Sequence, residues 1–391
     1  MNPQALPAAP RHLRIVILGL SITSSWGNGH ATTYRSLMRA LCRRGHEVLF
    51  LECDKPWYRK HRDLRDASFG NVRLYENVGQ LRRRWLGELR DADLVILGSY
   101  VPNGIAVAEL VCKVARGIVA FYDIDTPVTL AALAAGQCDY LNTALVPAFD
   151  LYLSFTGGPA LRLLERRYGA RAARALYCSV DSDEHRPVAA EARWALGYLG
   201  TYSADRQPTL DRLLCGPARS WPAGRFAVAG PLYPAELAWP QNVERIEHVG
   251  PDRHGWFYGC QRFTLNVTRA DMIRMGYSPS VRLFEAAASG VPIISDWWPG
   301  LTTIFTPGRE ILIARDGDDV LRYLREMSET ERMELAERAR RHVLANHTAA
   351  HRAALLERYI EEIAAPARRR NHSDTGAFPS REPAELAAAS K

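Results

Sequence analysis

The stretch Gly276-Tyr277-Ser278-Pro279-Ser280-Val281-Arg282-Leu283-Phe284-Glu285 gathers polar side chains that can do chemistry on one side of a short segment. Ser278 is a favoured N-cap residue and Pro279 suits the first helical position, so the sequence predicts a helix from Ser278, ended by Gly290. Val281, Phe284 and Ala288 then form an apolar face, while Ser278, Arg282, Glu285 and Ser289 share another. A helix start offers unpaired backbone N–H groups and a positive dipole end, which suit a diphosphate. Glu285 stands seven residues beyond Ser278, about 10 Å along the axis at ~1.5 Å per residue. At that reach one carboxylate can hold a ribose diol while the helix start holds phosphates. The same spacing also describes an ordinary amphipathic helix with Arg282 and Glu285 as an exposed ion pair.

Three further groups carry chemistry. Gly27-Asn28-Gly29-His30 lies between an apolar run and a helical one, where small residues let a ligand approach the backbone and an imidazole can take a proton near neutrality. It is not the G-x-G-x-x-G of a dinucleotide site. Asp123 and Asp125 follow the apolar run Gly117–Tyr122, a place from which either acid can deprotonate an acceptor hydroxyl. Alternatively, Asp125 caps the helix that Pro127 begins. Arg206 and Arg269 each follow a strand-like run, and their forked guanidinium groups suit phosphate oxygens.

The run Leu283-Phe284-Glu285-Ala286-Ala287-Ala288-Ser289-Gly290-Val291-Pro292-Ile293-Ile294 resembles the LLEAMACGTPVI signature of nucleotide-sugar glycosyltransferases with the GT-B fold. The sequence is similar above all to the group around the spore-maturation protein CgeB. That likeness rests on Gly197-Tyr198-Leu199-Gly200-Thr201-Tyr202-Ser203-Ala204-Asp205-Arg206, on Leu265-Asn266-Val267-Thr268-Arg269 and on Ser278 through Glu285. Val180-Asp181 to His185-Arg186-Pro187 resembles the segment where such enzymes cross between domains.

The resemblance implies that Glu285 binds the donor ribose and that Arg206, Arg269, Ser278, Ser280, Arg282 and Tyr277 lie about the donor nucleotide. It makes His30 a base if the reaction inverts the anomeric centre, beside the Asp125 or Asp123 that the strand end offers. It places His248 to His254 near the nucleotide base. The expected partners are a nucleoside-diphosphate sugar, UDP-linked by preference, and an acceptor; neither a metal nor a cofactor is expected. One departure concerns the donor sugar, because many such enzymes carry an acid eight positions before the ribose glutamate, where this chain has Tyr277. A nucleotide-sugar 2-epimerase and an inactive nucleotide-sugar-binding scaffold remain as alternatives.

These residues need elements to hold them. Strands are expected at Arg14–Leu20, Glu47–Glu52, Asp93–Gly98, Gly117–Tyr122 and Asp150–Ser154, with a helix over His30–Arg43. A second series follows at Trp194–Leu199, Arg225–Ala229, Arg245–Val249, Thr264–Val267, Val291–Ser295 and Glu310–Ile313. Strands alternating with helices, and apolar throughout, predict parallel sheets covered on both faces. The reading is an α/β protein of GT-B architecture: Rossmann-like domains over 13–186 and 194–345, a helix over 346–364 returning to the first, and a disordered tail over 366–391. Ligands of such sheets bind outside the carboxyl ends of the strands.

At 391 residues and 47% hydrophobic the chain is long enough for two cores and is not low-complexity. All but four of the fifty basic residues are arginine, so the net charge of +7 does not by itself call for nucleic acid, and no such binding motif is present. Arg82-Arg83-Arg84-Trp85-Leu86 is a basic patch suited to weak contact with an anionic membrane, or to a solvated helix face. Seven scattered cysteines without a C-x-x-C pair, and no apolar signal run in Met1–Arg14, point to the cytoplasm. The oligomeric state is left open.

Overall fold

The computed structural model describes residues 11–64 and 69–373. Its first sheet holds β1 (Arg14–Gly19), β2 (Glu47–Cys53), β3 (Asn71–Tyr75), β4 (Leu94–Gly98), β5 (Ile118–Asp123), β6 (Leu151–Ser154) and β7 (Ala173–Ala175). The second holds β8 (Trp194–Leu199), β9 (Phe226–Ala229), β10 (Val243–Ile246), β11 (Gln261–Asn266), β12 (Ile293–Ser295) and β13 (Leu312–Ile313). Strand order is β3-β2-β1-β4-β5-β6-β7 in one and β10-β9-β8-β11-β12-β13 in the other, parallel throughout. Both orders reverse beside the first strand, between β1 and β4 and between β8 and β11, so each sheet has a switch point at its centre.

The central strands are apolar because both faces are covered. Ile15 and Ile17 of β1 enter one buried cluster, Val16 and Leu18 the other. The strands absent from the sequence reading are β3 and β7, both at sheet edges. β3 is mostly exposed and so shows no apolar run. β10 begins two residues before the expected Arg245; as an edge strand of mixed polarity it carries little periodicity to place it.

The chain crosses between domains once near residue 181 and returns near 348. Arg39 fixes the crossing by ion pairs with Asp181 at 2.6 Å and Glu184 at 2.7 Å. Val180 bridges Thr348 at the return. The last helix, Ala349–Ser373, lays Ala353, Leu356 and Ile360 onto the first domain beside helix His30–Arg43. It runs on to Ser373 where a disordered tail was expected from Pro366; Ala367 and Arg368 to Arg370 are good helix formers. The rest of that tail, 374–391, lies outside the described residues. Among the described residues no helix is long and apolar enough to cross a membrane, and Arg82, Arg83 and Arg84 lie exposed on helix Val78–Asp91.

Candidate functional site

A cavity of about 480 Å³ lies between the carboxyl ends of the two sheets. Every wall is a segment that follows a strand. The first domain contributes Gly27 to His30 after β1, Tyr100 after β4 and Asp125 after β5; the second contributes Gly200 to Arg206, His248, His254, Arg269 and part of helix Val281–Ala288.

One end of the cavity is cationic. Arg206 donates through Nη2 to the Thr201 carbonyl at 2.5 Å, while its Nε is buried without a hydrogen-bond partner among the described residues. Arg269 lies between carboxylates, with Nη1 3.7 Å from Asp125 and Nε 3.7 Å from Asp205, and its Nε is likewise unpartnered. Buried donors left without acceptors cost free energy, so Arg206, which lines the cavity with its Nε unpartnered, marks a place for an anion beside Arg269. Helix Val281–Ala288 starts at the same end, with Ser280 as N-cap. Arg282 lines the cavity too, but its guanidinium is committed to structure. It donates to the Leu199 carbonyl and to Asn266 at 2.9 Å, and lies 4.8 Å over the Tyr198 ring. Ser280 donates to the same Asn266 at 2.8 Å.

The other end holds Glu285, one turn into the helix and only 3% exposed. Its Oε2 accepts from the Tyr258 hydroxyl at 3.4 Å, and His185 and His254 approach its two oxygens at 3.6 and 3.8 Å. His185 belongs to the interdomain crossing, a hundred residues away in sequence. Only the fold shows that it serves this carboxylate.

Across the cleft, His30 opens helix His30–Arg43 and its Nδ1 has no partner among the described residues. Burial lowers its pKa, and the nearby Asp125 carboxylate opposes that only in part. Asn28 lines the cavity and shapes the loop: its Oδ1 accepts from the His30 amide at 3.0 Å and its Nδ2 donates to the Ser24 carbonyl at 3.2 Å. Gly27 has φ +62°, a conformation that favours glycine. At Gly29 a side chain would meet nothing within 4 Å. The loop is pinned by Glu52, which is fully buried and accepts from the Ile22 and Thr23 amides at 2.7 and 2.9 Å and from both their neighbouring hydroxyls, Ser21 at 3.1 Å and Thr23 at 2.7 Å. The sequence reading missed Glu52, whose only signal is an acid at the end of an apolar strand.

The two aspartates after β5 separate. Asp125 makes no capping hydrogen bond to the helix it precedes; it faces the cavity and accepts from the Tyr100 hydroxyl at 3.1 Å. Asp123 is fully buried and does not reach the cavity, which corrects its assignment as a base. It accepts from the Tyr152 hydroxyl at 2.7 Å, from the Thr129 hydroxyl at 2.7 Å and from the Asp125 amide at 3.1 Å. Burial raises its pKa to about 6, with those hydrogen bonds limiting the rise. Tyr100 holds φ +62°, strained for a bulky residue, and its ring packs 5.5 Å from His30 and 4.7 Å from Tyr140. Nothing in the sequence singles it out.

Tyr277 and Ser278 do not line the cavity and are corrected likewise. Ser278 is not the N-cap, because its hydroxyl donates to the Gly276 carbonyl at 2.9 Å and pairs with Thr156 of the first domain at 2.8 Å. The helix therefore begins at Val281, two residues past Pro279. Tyr277, at φ +51°, wedges between Gly158 and Gly300, where a Cβ would come within 2.5 and 2.6 Å of its ring. Its carbonyl accepts from the Gly157 amide at 2.9 Å. Both residues thus join the domains. Trp298 is buried under helix Val281–Ala288 and Trp297 is exposed; neither lines the cavity.

No curated protein matches the chain in sequence. Solved structures of the same fold are numerous. Sucrose-phosphate synthase (tll1590) from Thermosynechococcus elongatus superposes with a TM-score of 0.63 at 14% identity, over 91% of this chain and 100% of that one. Anabaena Alr3699/HepE in complex with UDP and glucose gives 0.66 at 12% identity, over 90% and 100%. An alpha-glucosyltransferase (AGT) in complex with UDP gives 0.68 at 13% identity, over 89% and 100%. The chain has the GT-B architecture of two Rossmann-like domains, and its residues 206–358 match the family described as glycosyl transferase-like.

Proposed function

We propose that this protein is a glycosyltransferase that takes a sugar from a nucleoside-diphosphate donor, with a UDP-sugar favoured, and needs no metal. The observation that carries this reading is one cavity lined by two arginines, Arg206 with an unpartnered donor and Arg269, and by the buried carboxylate of Glu285. That polarity fits a nucleoside diphosphate: Arg206, Arg269 and the amides at the start of helix Val281–Ala288 hold the phosphates, and Glu285 accepts from the ribose hydroxyls. The family match over 206–358 and the UDP-bound neighbours support it. The fixed positive charge stabilises the anion that builds up on the leaving diphosphate, a part a metal plays in other enzymes.

His30 and Asp125 stand on the acceptor side. They orient the nucleophile, and in a reaction that inverts the anomeric centre the His30 imidazole takes its proton while Asp125 stabilises the imidazolium. All seven cysteines are free, which supports a cytoplasmic location.

The test is thermal-shift titration with UDP, GDP, dTDP, ADP and NAD. A nucleotide at 100 times its dissociation constant stabilises the fold by about 2.7 kcal/mol. UDP is expected to shift the wild type, and Glu285→Ala to weaken its binding about 100-fold by removing two charge-assisted hydrogen bonds. A protein that no nucleotide stabilises sinks the proposal.

The pairing of Arg269 with Asp125 gives a second expectation, of opposite sign. The diphosphate competes with Asp125 for Arg269, so Asp125→Asn is expected to tighten UDP binding roughly threefold, the scale of a partly exposed ion pair. Arg269→Ala weakens it. Calorimetric titration of both variants reads the result directly.

A further inference from the structure

The surroundings of Glu285 are short of hydrogens. His185 Nδ1 lies 3.3 Å from the Asp181 carbonyl oxygen, which can only accept, so in the neutral ring Nδ1 carries the hydrogen and Nε2 keeps a lone pair. That Nε2 is buried, lacks a partner among the described residues and sits 3.6 Å from Glu285 Oε1. His254 presents an equally buried and unpartnered Nδ1, 3.8 Å from Oε2. Burial lowers the His254 pKa, with the Glu285 charge opposing. The Tyr258 hydroxyl, 3.4 Å away, is the one hydrogen-bond donor to the carboxylate among the described residues.

A buried carboxylate faced by imidazole nitrogens that give it no hydrogen bond is incomplete by itself. The group that completes it must supply hydrogens to the carboxylate and still satisfy a ring nitrogen. A hydroxyl both donates and accepts, and two on adjacent carbons serve two carboxylate oxygens at once. His254 lines the cavity beside His248 and Val249, whereas His185 lies behind Glu285 and outside the cavity lining.

We propose that His254 and His185 make the site selective for ribonucleotides over 2′-deoxyribonucleotides. His254, which lines the cavity beside Glu285, contacts the 2′-hydroxyl. His185 is a positioning residue that sets the angle of the Glu285 carboxylate from behind. This inference rests on the donor-pocket reading above and assigns the discrimination to two residues that reading does not use.

The test is calorimetric titration of the full chain with UDP and with 2′-deoxy-UDP. The wild type is expected to prefer UDP about 100-fold, the cost of leaving buried polar groups unpaired. His254→Ala is expected to lose about tenfold in UDP affinity while 2′-deoxy-UDP changes by less than about twofold, because the lost contact exists only with the 2′-hydroxyl. His185→Gln, which keeps a polar side chain in a buried place, is expected to show the same asymmetry and guards against a variant that fails to fold.

Equal losses for both nucleotides in both variants would reduce the histidines to structural parts and overturn the inference, as would a wild type without preference. If no nucleoside diphosphate binds, the donor pocket itself is wrong and this inference falls with it. The three side chains also place ligand atoms within 4.8 Å of one another. Stabilisation of the wild type by Zn²⁺ alone, lost in His185→Gln, would assign them to a metal instead.

Discussion

His30→Ala is expected to lower the rate of sugar transfer by about 10²–10⁴-fold, the usual contribution of a positioned acid–base group. UDP affinity is expected to stay within about threefold, because His30 stands on the opposite domain from the arginines and Glu285. The effect belongs to the neutral imidazole. Burial lowers the pKa of His30 below its usual 6.5, so the base form predominates at and above neutral pH. The pH profile of kcat/KM should therefore be flat above pH 6.5 and fall on the acid side, with its midpoint below 6.5. His30→Ala should lose that acid limb along with the rate. UDP-sugar hydrolysis supplies the readout while the acceptor is sought. A variant that keeps the full rate and the same limb would move the base to another residue, and Asp125 would be next.

Glu357→Ala is expected to destabilise strongly the packing of the last helix on the first domain. Glu357 is 4% exposed on the last helix and accepts from Arg44 Nε and Nη2, each at 2.6 Å, with His46 Nε2 at 2.8 Å. Removing the carboxylate from such a buried cluster costs about 3–5 kcal/mol, because Arg44 and His46 both lose the acceptor they share. For a domain of this size that is a fall of roughly 10 °C in the melting transition of the first domain. Glu357→Gln keeps the shape and should cost less. Burial pushes the Glu357 pKa up, but the Arg44 and His46 hydrogen bonds outweigh it and hold it below the usual 4.5. The stabilisation is therefore complete above pH 4.5 and is lost as pH falls through the lower, folded-state value. Differential scanning calorimetry of both variants between pH 3 and 7 checks sign and size. An unchanged transition in Glu357→Ala would show that apolar packing of Ala353, Leu356 and Ile360 alone holds this helix.

Much of the frame was legible in the sequence. Helix His30–Arg43 and strand β8 form over the residues expected, because a strand buried on both faces must be apolar and a helix on such a sheet must be amphipathic. Glu285, Arg206 and Arg269, singled out by the resemblance, all line the cavity. Edge strands β3 and β7 were not found, since a strand with one exposed side carries no continuous apolar signal.

The failures cluster where one side chain has two possible partners. Ser278 has the sequence of an N-cap, yet its hydroxyl bonds Gly276 and Thr156, the latter 122 residues away and in the other domain. Asp123 and Asp125 are equivalent on paper, two residues apart at the end of one strand. Strand β5 ends at Asp123, which stays in the Tyr152–Thr129 network, whereas Asp125 lies beyond the strand in the turn before helix Thr126–Ala134 and faces the cleft.

The sequence by itself determined the two parallel sheets and the residue types at the carboxyl ends of the strands, because local periodicity and turn chemistry act over a few residues. Only the tertiary structure decided which polar groups meet. His185 and His254 converge on Glu285, Tyr100 on Asp125, and Arg269 reaches both Asp125 and Asp205. Those meetings depend on how two domains close over a shared cavity, and hydrogen-bond partners distant in the chain leave no spacing for a sequence to display.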